Sequence, residues 1–144
     1  MSVAGAIYTA LQADSRLKAL LAPHDLDPTK LAIYEEWAER ETSFPYMAYS
    51  LSYSEGMHFA KQDTVLNLDI FTWSNTVQAE DIKEACIFAL DRHTIIDPDD
   101  GAQLRIYYSR DGFIVEPADY ITHWNLEFNV FHWRDDFINH LLTE

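Results

Sequence analysis

A change of hydrophobic period within the segment Thr64–Arg92 constrains the fold more than any other feature of the sequence. Its first part, Thr64–Trp73, alternates apolar and polar side chains. A period of two places successive side chains on opposite faces, which predicts a strand with one buried face. The apolar face carries Leu66, Leu68 and Ile70, and the polar face carries Asn67 and Asp69.

The second part of the segment has the period of a helix. Its apolar residues fall at i, i+3, i+4, i+7 and i+8, and they are Ile82, Ala85, Cys86, Ala89 and Leu90. This spacing forms one stripe along an amphipathic helix. We expect Asn75 or Thr76 to cap its first amide groups. A strand that leads directly into such a helix needs further strands beside it.

The rest of the chain supplies those strands. Helices are predicted from Val3 to Leu11 and, capped by Asp14, from Ser15 to Leu21. Strands are predicted at Leu31–Tyr34, Tyr46–Tyr53, Leu104–Ser109 and Ile121–Trp133, and turns at Asp97–Gly101 and Asp111–Gly112. The predicted fold class is α+β, with a largely antiparallel four- or five-stranded sheet and two main helices packed on one face. We expect a single domain over residues 1–144, with 134–144 as a short C-terminal helical extension.

Charge limits the kinds of partner that the chain can bind. Its 10 Lys and Arg residues stand against 24 Asp and Glu residues, which gives a formal net charge of −14. Binding nucleic acid through its phosphates requires cations, so this composition argues against it. An acidic surface past which DNA slides without sticking stays compatible with the charge.

The sequence also bears on cellular location. The single cysteine, Cys86, lies on the apolar helical stripe, so we expect a small buried side chain rather than a reactive thiol. One cysteine cannot form an internal disulfide framework, which fits a reducing cytoplasm. No basic segment followed by an apolar run begins the chain, and no stretch is apolar enough for a membrane span. We therefore expect a protein that is soluble and intracellular when made.

Motifs for enzymatic chemistry are weak. The four glycines are never clustered, so neither a phosphate-binding loop nor a dinucleotide fingerprint is present. His123 and His132 are nine residues apart on one predicted strand, which places them on opposite faces and prevents a shared metal unless a bulge intervenes. The acidic cluster at Asp97–Gly101 lacks the spacing of a calcium loop, and a turn explains it better. We expect no catalytic residue, cofactor or metal.

Asp69 is the most interesting carboxylate because it lies on the central predicted strand. We expect it at an outward polar position, paired with Arg105 or Arg110 on a neighbouring strand. A catalytic role has little support, since no base or nucleophile has a spacing that singles Asp69 out.

The order of several segments resembles the tail-completion (tail-terminator) proteins of long-tailed phages and prophages. The resemblance lies in Ala6–Asp14 with Leu17–Leu21, Ala32–Tyr34, Phe44–Tyr46, Leu66–Thr72 with the following helix, and the long aromatic strand that ends at Trp133. It covers roughly residues 5 to 133. The chain departs from the pattern in the acidic insert Glu35–Glu41 and beyond Arg134.

The resemblance implies a structural virion protein of the head–tail joining region. Such a protein forms a ring, in the family a hexamer, on the head-proximal end of the tail tube. It stops tube polymerisation and offers a surface to the head-completion or connector protein. DNA would pass through the lumen without specific binding, and no membrane is involved. The implied location is the host cytoplasm during assembly and then the neck of the virion.

Contact residues are predicted from exposed apolar side chains in polar segments. Trp37 lies in the acidic insert, and Met57, His58 and Phe59 lie in the long connection after the second predicted strand. The alternative is that this connection folds back onto its own core. A rival function also stays open: a small acidic inhibitor or immunity-type module that covers a basic partner protein. Self-association distinguishes the two, because an inhibitor forms a one-to-one complex.

Overall fold

The computed structural model describes residues 3–36, 43–53, 61–96, 103–118 and 120–133. The helices are α1 (Val3–Ala13), α2 (Ser15–Leu20) and α3 (Thr76–Leu90). The strands are β1 (Ile33–Glu35), β2 (Tyr46–Tyr53), β3 (Lys61–Trp73), β4 (Thr94–Ile96), β5 (Gln103–Ile114) and β6 (Ile121–Trp133). No helix in this described part of the chain is long and apolar enough to cross a membrane.

All six strands join in one sheet with the order β1-β2-β3-β6-β5-β4. Every neighbouring pair is antiparallel except β1 and β2, which are parallel. The predicted largely antiparallel sheet and its helices are therefore present, with one strand more than the predicted maximum of five. The additional strand is β4, whose three residues are too few to show a period in the sequence.

The helices cover one face of the sheet, and the core lies between them. The register aligns Met47, Ile70 and Trp124 across three strands, and in the next row Tyr49, Leu68 and Leu126. All six of these side chains are buried. The predicted alternation of β3 is confirmed, because Leu66, Leu68 and Ile70 are fully buried. Asn67 and Asp69 therefore point to the opposite side of the sheet, which we call the open face.

Both predicted helix caps are present. The side chain of Asn75 accepts a hydrogen bond from the amide of Gln78 at 2.9 Å, and Asp14 accepts one from the amide of Leu17 at 2.9 Å. Each bond satisfies an amide that the first turn of a helix leaves without a partner. These caps fix where α2 and α3 begin.

The prediction for Cys86 is also confirmed. Its side chain is fully buried on α3, with Sγ 3.7 Å from Sδ of Met47 on β2. Burial, reinforced by the charge of Asp14, raises the pKa of the Cys86 thiol. A neutral thiol in such surroundings behaves as a small apolar side chain.

The predicted turn at Asp111–Gly112 is wrong, because β5 continues through it to Ile114. Asp111 pairs with Leu126, and Gly112 pairs with Asn125. The long β6 offers a partner for every residue here, and this pairing outweighs the local turn preference. A β-bulge between Tyr108 and Arg110 changes which residues of β5 point towards the helices.

The bulge brings Asp111 to the helical side of the sheet. There its carboxylate accepts hydrogen bonds from the indole N–H of Trp124 at 2.9 Å and from the hydroxyl of Tyr108. Nζ of Lys83 on α3 lies 4.0 Å away. The acidic side chain that the sequence assigned to a turn therefore ties β5 to β6 and α3.

Candidate functional site

The predicted contact residues lie outside the part of the chain that the structure describes. These are Trp37, Met57, His58 and Phe59, and the same holds for the turn at Asp97–Gly101 and the helical extension 134–144. Their roles stay predictions. The described residues instead offer three features: a histidine cluster, an aromatic band and an open strand edge.

The histidine cluster lies on the open face, where His123 is held between two carboxylates. Its Nε2 is 2.7 Å from Oδ1 of Asp69 on β3, and its Nδ1 is 2.6 Å from Oε1 of Glu116 in the connection between β5 and β6. Asn125 donates a further hydrogen bond to Oδ1 of Asp69 at 3.0 Å. The imidazole also stacks on Phe71, with ring centroids 4.2 Å apart.

These contacts favour the charged form of His123. A neutral imidazole has only one N–H, whereas two carboxylates here face both ring nitrogens, so both contacts are hydrogen bonds only in the imidazolium. Burial lowers the pKa of His123, but the hydrogen bonds and charges of Asp69 and Glu116 outweigh it and raise this pKa above its ordinary value. The cluster therefore fastens the β5–β6 connection to the open face.

This arrangement corrects the predicted partner of Asp69. Asp69 does not pair with Arg105 or Arg110, because β6 lies between β3 and the strand that carries both arginines. Arg110 instead pairs with Glu127 on β6, with Nε 2.8 Å from Oε2. Glu116 could not have been identified from the sequence, since it lies in an irregular connection.

The predicted placement of the two histidines of β6 is confirmed. His132 shares its side of the sheet with the buried Leu104, which it faces across β5 and β6. His123 lies on the open face with Asp69. Among the described residues, no group of three His, Cys, Asp or Glu side chains has the geometry to hold a metal ion.

The aromatic band runs across the open face at the end where β3 and β2 meet the β5–β6 connection. Its members are Phe44, Tyr46, Phe71, Trp73 and Tyr120. Tyr46 stacks on Phe71 at 4.8 Å between centroids, and Trp73 stacks on Tyr120 at 4.5 Å. Trp73 is 57% exposed and Tyr120 is 47% exposed. Exposed aromatic side chains such as Trp73 and Tyr120 are typical of contact surfaces.

The open strand edge is the second half of β5. On its outer side, β4 pairs only with Gln103–Arg105, and Ile106 then bonds the backbone of Arg92 and His93. Within the described chain, no strand pairs with the outer side of Asp111–Ile114. Three consecutive apolar side chains lie at this edge or just beyond it: Phe113, Ile114 and Val115 are 56%, 42% and 95% exposed. We call the segment 111–115 the β5 edge.

Charge differs between the two ends of the strand order, that is, between the two edges of the sheet. On the side of β4 and β5, the side chains of Arg92, Arg105 and Arg110 are exposed, and we call this the arginine side. At the other end of the strand order, Glu35 ends β1 and Glu36 follows it, both exposed, and we call this the glutamate side. Three of the chain's 10 Lys and Arg residues thus lie on the arginine side, where Arg110 pairs with Glu127.

Comparison with known proteins identifies the fold. No family model matches the chain, and no curated protein matches it. Eighteen chains of solved structures match. One of them is a chain in the virion of a native gene transfer agent (GTA) particle, with 15% sequence identity and a TM-score of 0.71. The match covers 92% of this chain and 95% of that one, so the two share one fold over nearly their whole lengths.

Proposed function

We propose that the chain is a structural virion protein that caps the head-proximal end of a phage tail tube. In this role it stops tube polymerisation and presents the surface to which the head connector binds. The observation that carries the proposal is the shared fold with a chain of a virion particle, at a TM-score of 0.71 over nearly the full length of both chains. The finer assignment to the head-proximal end of the tail tube rests on the sequence resemblance to tail-terminator proteins.

The chemistry of the described residues supports a role in assembly rather than in catalysis. Asp69 and Glu116 occupy both ring nitrogens of His123, which leaves neither nitrogen to act as a base on a substrate. The thiol of Cys86 is buried and its pKa is raised, so it is a poor nucleophile. The exposed features are aromatic, apolar and charged surfaces, which are the material of protein contacts.

The acidic composition suits a channel for DNA. A net charge of −14 per subunit would line a ring with negative potential, and DNA passing through it would be repelled rather than held. We therefore expect the binding partners to be proteins, namely the tail tube on one side of the ring and the head connector on the other.

The test is polymerisation of the cognate tail-tube protein with and without the chain. We expect tubes grown with the chain to stop elongating and to carry extra density at one end in electron micrographs. An equimolar acidic protein of similar size serves as the control for charge alone. Tubes that keep growing, with bare ends, in the presence of the folded chain would refute the proposal.

A second candidate rests on the charge alone. A net charge of −14 on 144 residues also fits a small acidic inhibitor that covers a basic partner protein. Such a module would bind one basic protein in a one-to-one complex and would leave tube length unchanged. The polymerisation experiment therefore separates the two functions.

A further inference from the structure

We propose that two copies of the free chain pair through their β5 edges, antiparallel and about a two-fold axis at Phe113. The partner is a second copy of this chain, and the contact joins the same surface of both copies. Such a contact closes on itself with two subunits, so it neither builds nor needs a ring. The inference therefore goes beyond the proposed function and is tested separately from it.

The direction of the backbone groups identifies which residues of the β5 edge can bond a further strand. Earlier in β5, the N–H and C=O of Ile106 point outward, where they bond the segment that follows α3. Ile106 lies opposite Val130, and backbone groups alternate along β6, so the β5 residues opposite positions 126 and 124 also face outward. These residues are Asp111 and Phe113. An added antiparallel strand would satisfy their outer N–H and C=O groups and extend the sheet.

The side chains of the β5 edge are complementary to their own copies about Phe113. In this register Gly112 of one copy lies opposite Ile114 of the other, both on the open face. The space over Gly112 is open, because a Cβ placed there would meet nothing within 4 Å. A groove of about 230 Å³ lies there, lined also by Asn125, which pairs with Gly112. The 42% exposed side chain of Ile114 from the second copy would fill this groove, and the two-fold axis repeats the contact.

The apolar surface of this edge favours the pairing. Natural sheet edges usually avoid contact with other strands through charges, bulges or short length. Here Phe113 and Val115 are 56% and 95% exposed, and pairing would remove part of that surface from water. The ring of Phe113 lies 4.1 Å from that of the buried Trp124, which holds the phenyl group in place and lowers the cost of ordering it on contact.

The charges agree with this register. Arg110 lies three residues before Phe113 and Glu116 three residues after it, so the axis sets Arg110 of each copy opposite Glu116 of the other. Arg110 bonds Glu127 through Nε at 2.8 Å, and its 78% exposed side chain has further N–H donors. Glu116 bonds His123 through Oε1 and has a second carboxylate oxygen. Both side chains can therefore form the new pair and keep the existing one.

Cysteine cross-linking tests the position of the axis. Residues that face each other in a hydrogen-bonded antiparallel pair have Cα atoms about 5.5 Å apart, within the range of about 4.4–6.8 Å that disulfides span. Phe113→Cys should therefore form a disulfide-linked dimer in oxidised glutathione. The control Val115→Cys would lie opposite Asp111 rather than its own copy and should stay unlinked. The native Cys86 is fully buried and does not compete.

Sedimentation of the purified chain without tubes measures association. We expect a dimer that Gly112→Leu weakens at least about tenfold, because the added side chain occupies the space that Ile114 of the other copy needs. Within one chain the change is tolerated, since Gly112 does not have a left-handed φ and the space beside it is open. The control Asn129→Leu adds the same side chain on the open face of β6, at an exposed position away from the edge, and should associate like wild type.

Three results would overturn the pairing. They are a wild-type chain that sediments as a monomer at its highest soluble concentration, equal cross-linking of Phe113→Cys and Val115→Cys, and a Gly112→Leu dimer as tight as that of wild type. Circular dichroism confirms that each variant is folded, and the cross-linking result decides if Gly112→Leu is not. Tube capping is measured in the polymerisation experiment, so the failure of either proposal leaves the other standing.

Discussion

Replacing His123 with glutamine tests the cluster that fastens the β5–β6 connection to the open face. Glutamine keeps a polar side chain but cannot donate charged hydrogen bonds to both Asp69 and Glu116. In the wild type those bonds are 2.7 and 2.6 Å long, and the two carboxylate side chains are 24% and 25% exposed. The substitution therefore leaves two partly buried carboxylates without their cation.

The magnitude follows from these contacts. A hydrogen bond to a charged group contributes roughly 1.5–3 kcal/mol when it is buried. Partial exposure of both carboxylates weakens each bond, so we expect His123→Gln to lower the free energy of unfolding by about 2–3 kcal/mol in mildly acidic solution. The loss should be largest there, because His123 is then charged in the wild type.

The raised pKa of His123 determines whether the stability difference between wild type and His123→Gln grows or shrinks with pH. The folded-state pKa of His123 is raised above the ordinary value of 6.5, so the stability that this cluster contributes is fully present below pH 6.5. It is lost as the pH rises through the raised pKa. The difference between wild type and His123→Gln should therefore shrink with increasing pH.

Urea unfolding at a series of pH values measures this difference, and His93→Gln, at an exposed histidine, is the control. A difference that stays constant from acidic to alkaline pH, or that grows with pH, would refute the assignment of His123 as an imidazolium between two carboxylates.

Three further substitutions test the fold. Leu68→Ala removes a fully buried side chain and should lower the free energy of unfolding by about 2–5 kcal/mol in a urea titration. In the same titration the control Leu26→Ala, at an 82% exposed position, should change it by less than about 0.5 kcal/mol. Asn75→Ala should lower the free energy of unfolding by about 1 kcal/mol, whereas Asn75→Asp, which can still cap the helix, should hardly change it. If thermal unfolding showed the same loss of stability for both variants, the cap would be contradicted. Cys86→Ser should lower the free energy of unfolding by about 1–3 kcal/mol, because it buries a hydroxyl among apolar groups. In the wild type, the Cys86 thiol should resist alkylation until urea unfolds the chain. Rapid labelling of the native protein would contradict its burial.

The part of the fold that could be predicted is the part governed by period and local chemistry. Alternation along β3 and β6 gave their buried faces and placed His123 and His132 on opposite sides. The side chain of Asn75 identified the start of α3, since a cap depends only on its nearest neighbours in the sequence. These features need no knowledge of which strands become neighbours.

The features that could not be predicted depend on which strands become neighbours in the sheet. Asp111–Gly112 has the composition of a turn, and only the presence of β6 beside it keeps β5 extended. Asp69 and His123 are 54 residues apart in the sequence, and Glu116 reaches them from a connection without regular structure. The division of charge between the two sides of the sheet likewise appears only once the strand order is known. The candidate contact surfaces among the described residues were therefore found only in the structure, and the predicted contact residues stay predictions.

The proposed cap is tested most directly by imaging the ends of tail tubes assembled with the wild-type chain by cryo-electron microscopy. We expect a closed ring of copies of this chain at one end of each tube. Bare tube ends, together with the chain bound one-to-one to a separate basic protein, would contradict it.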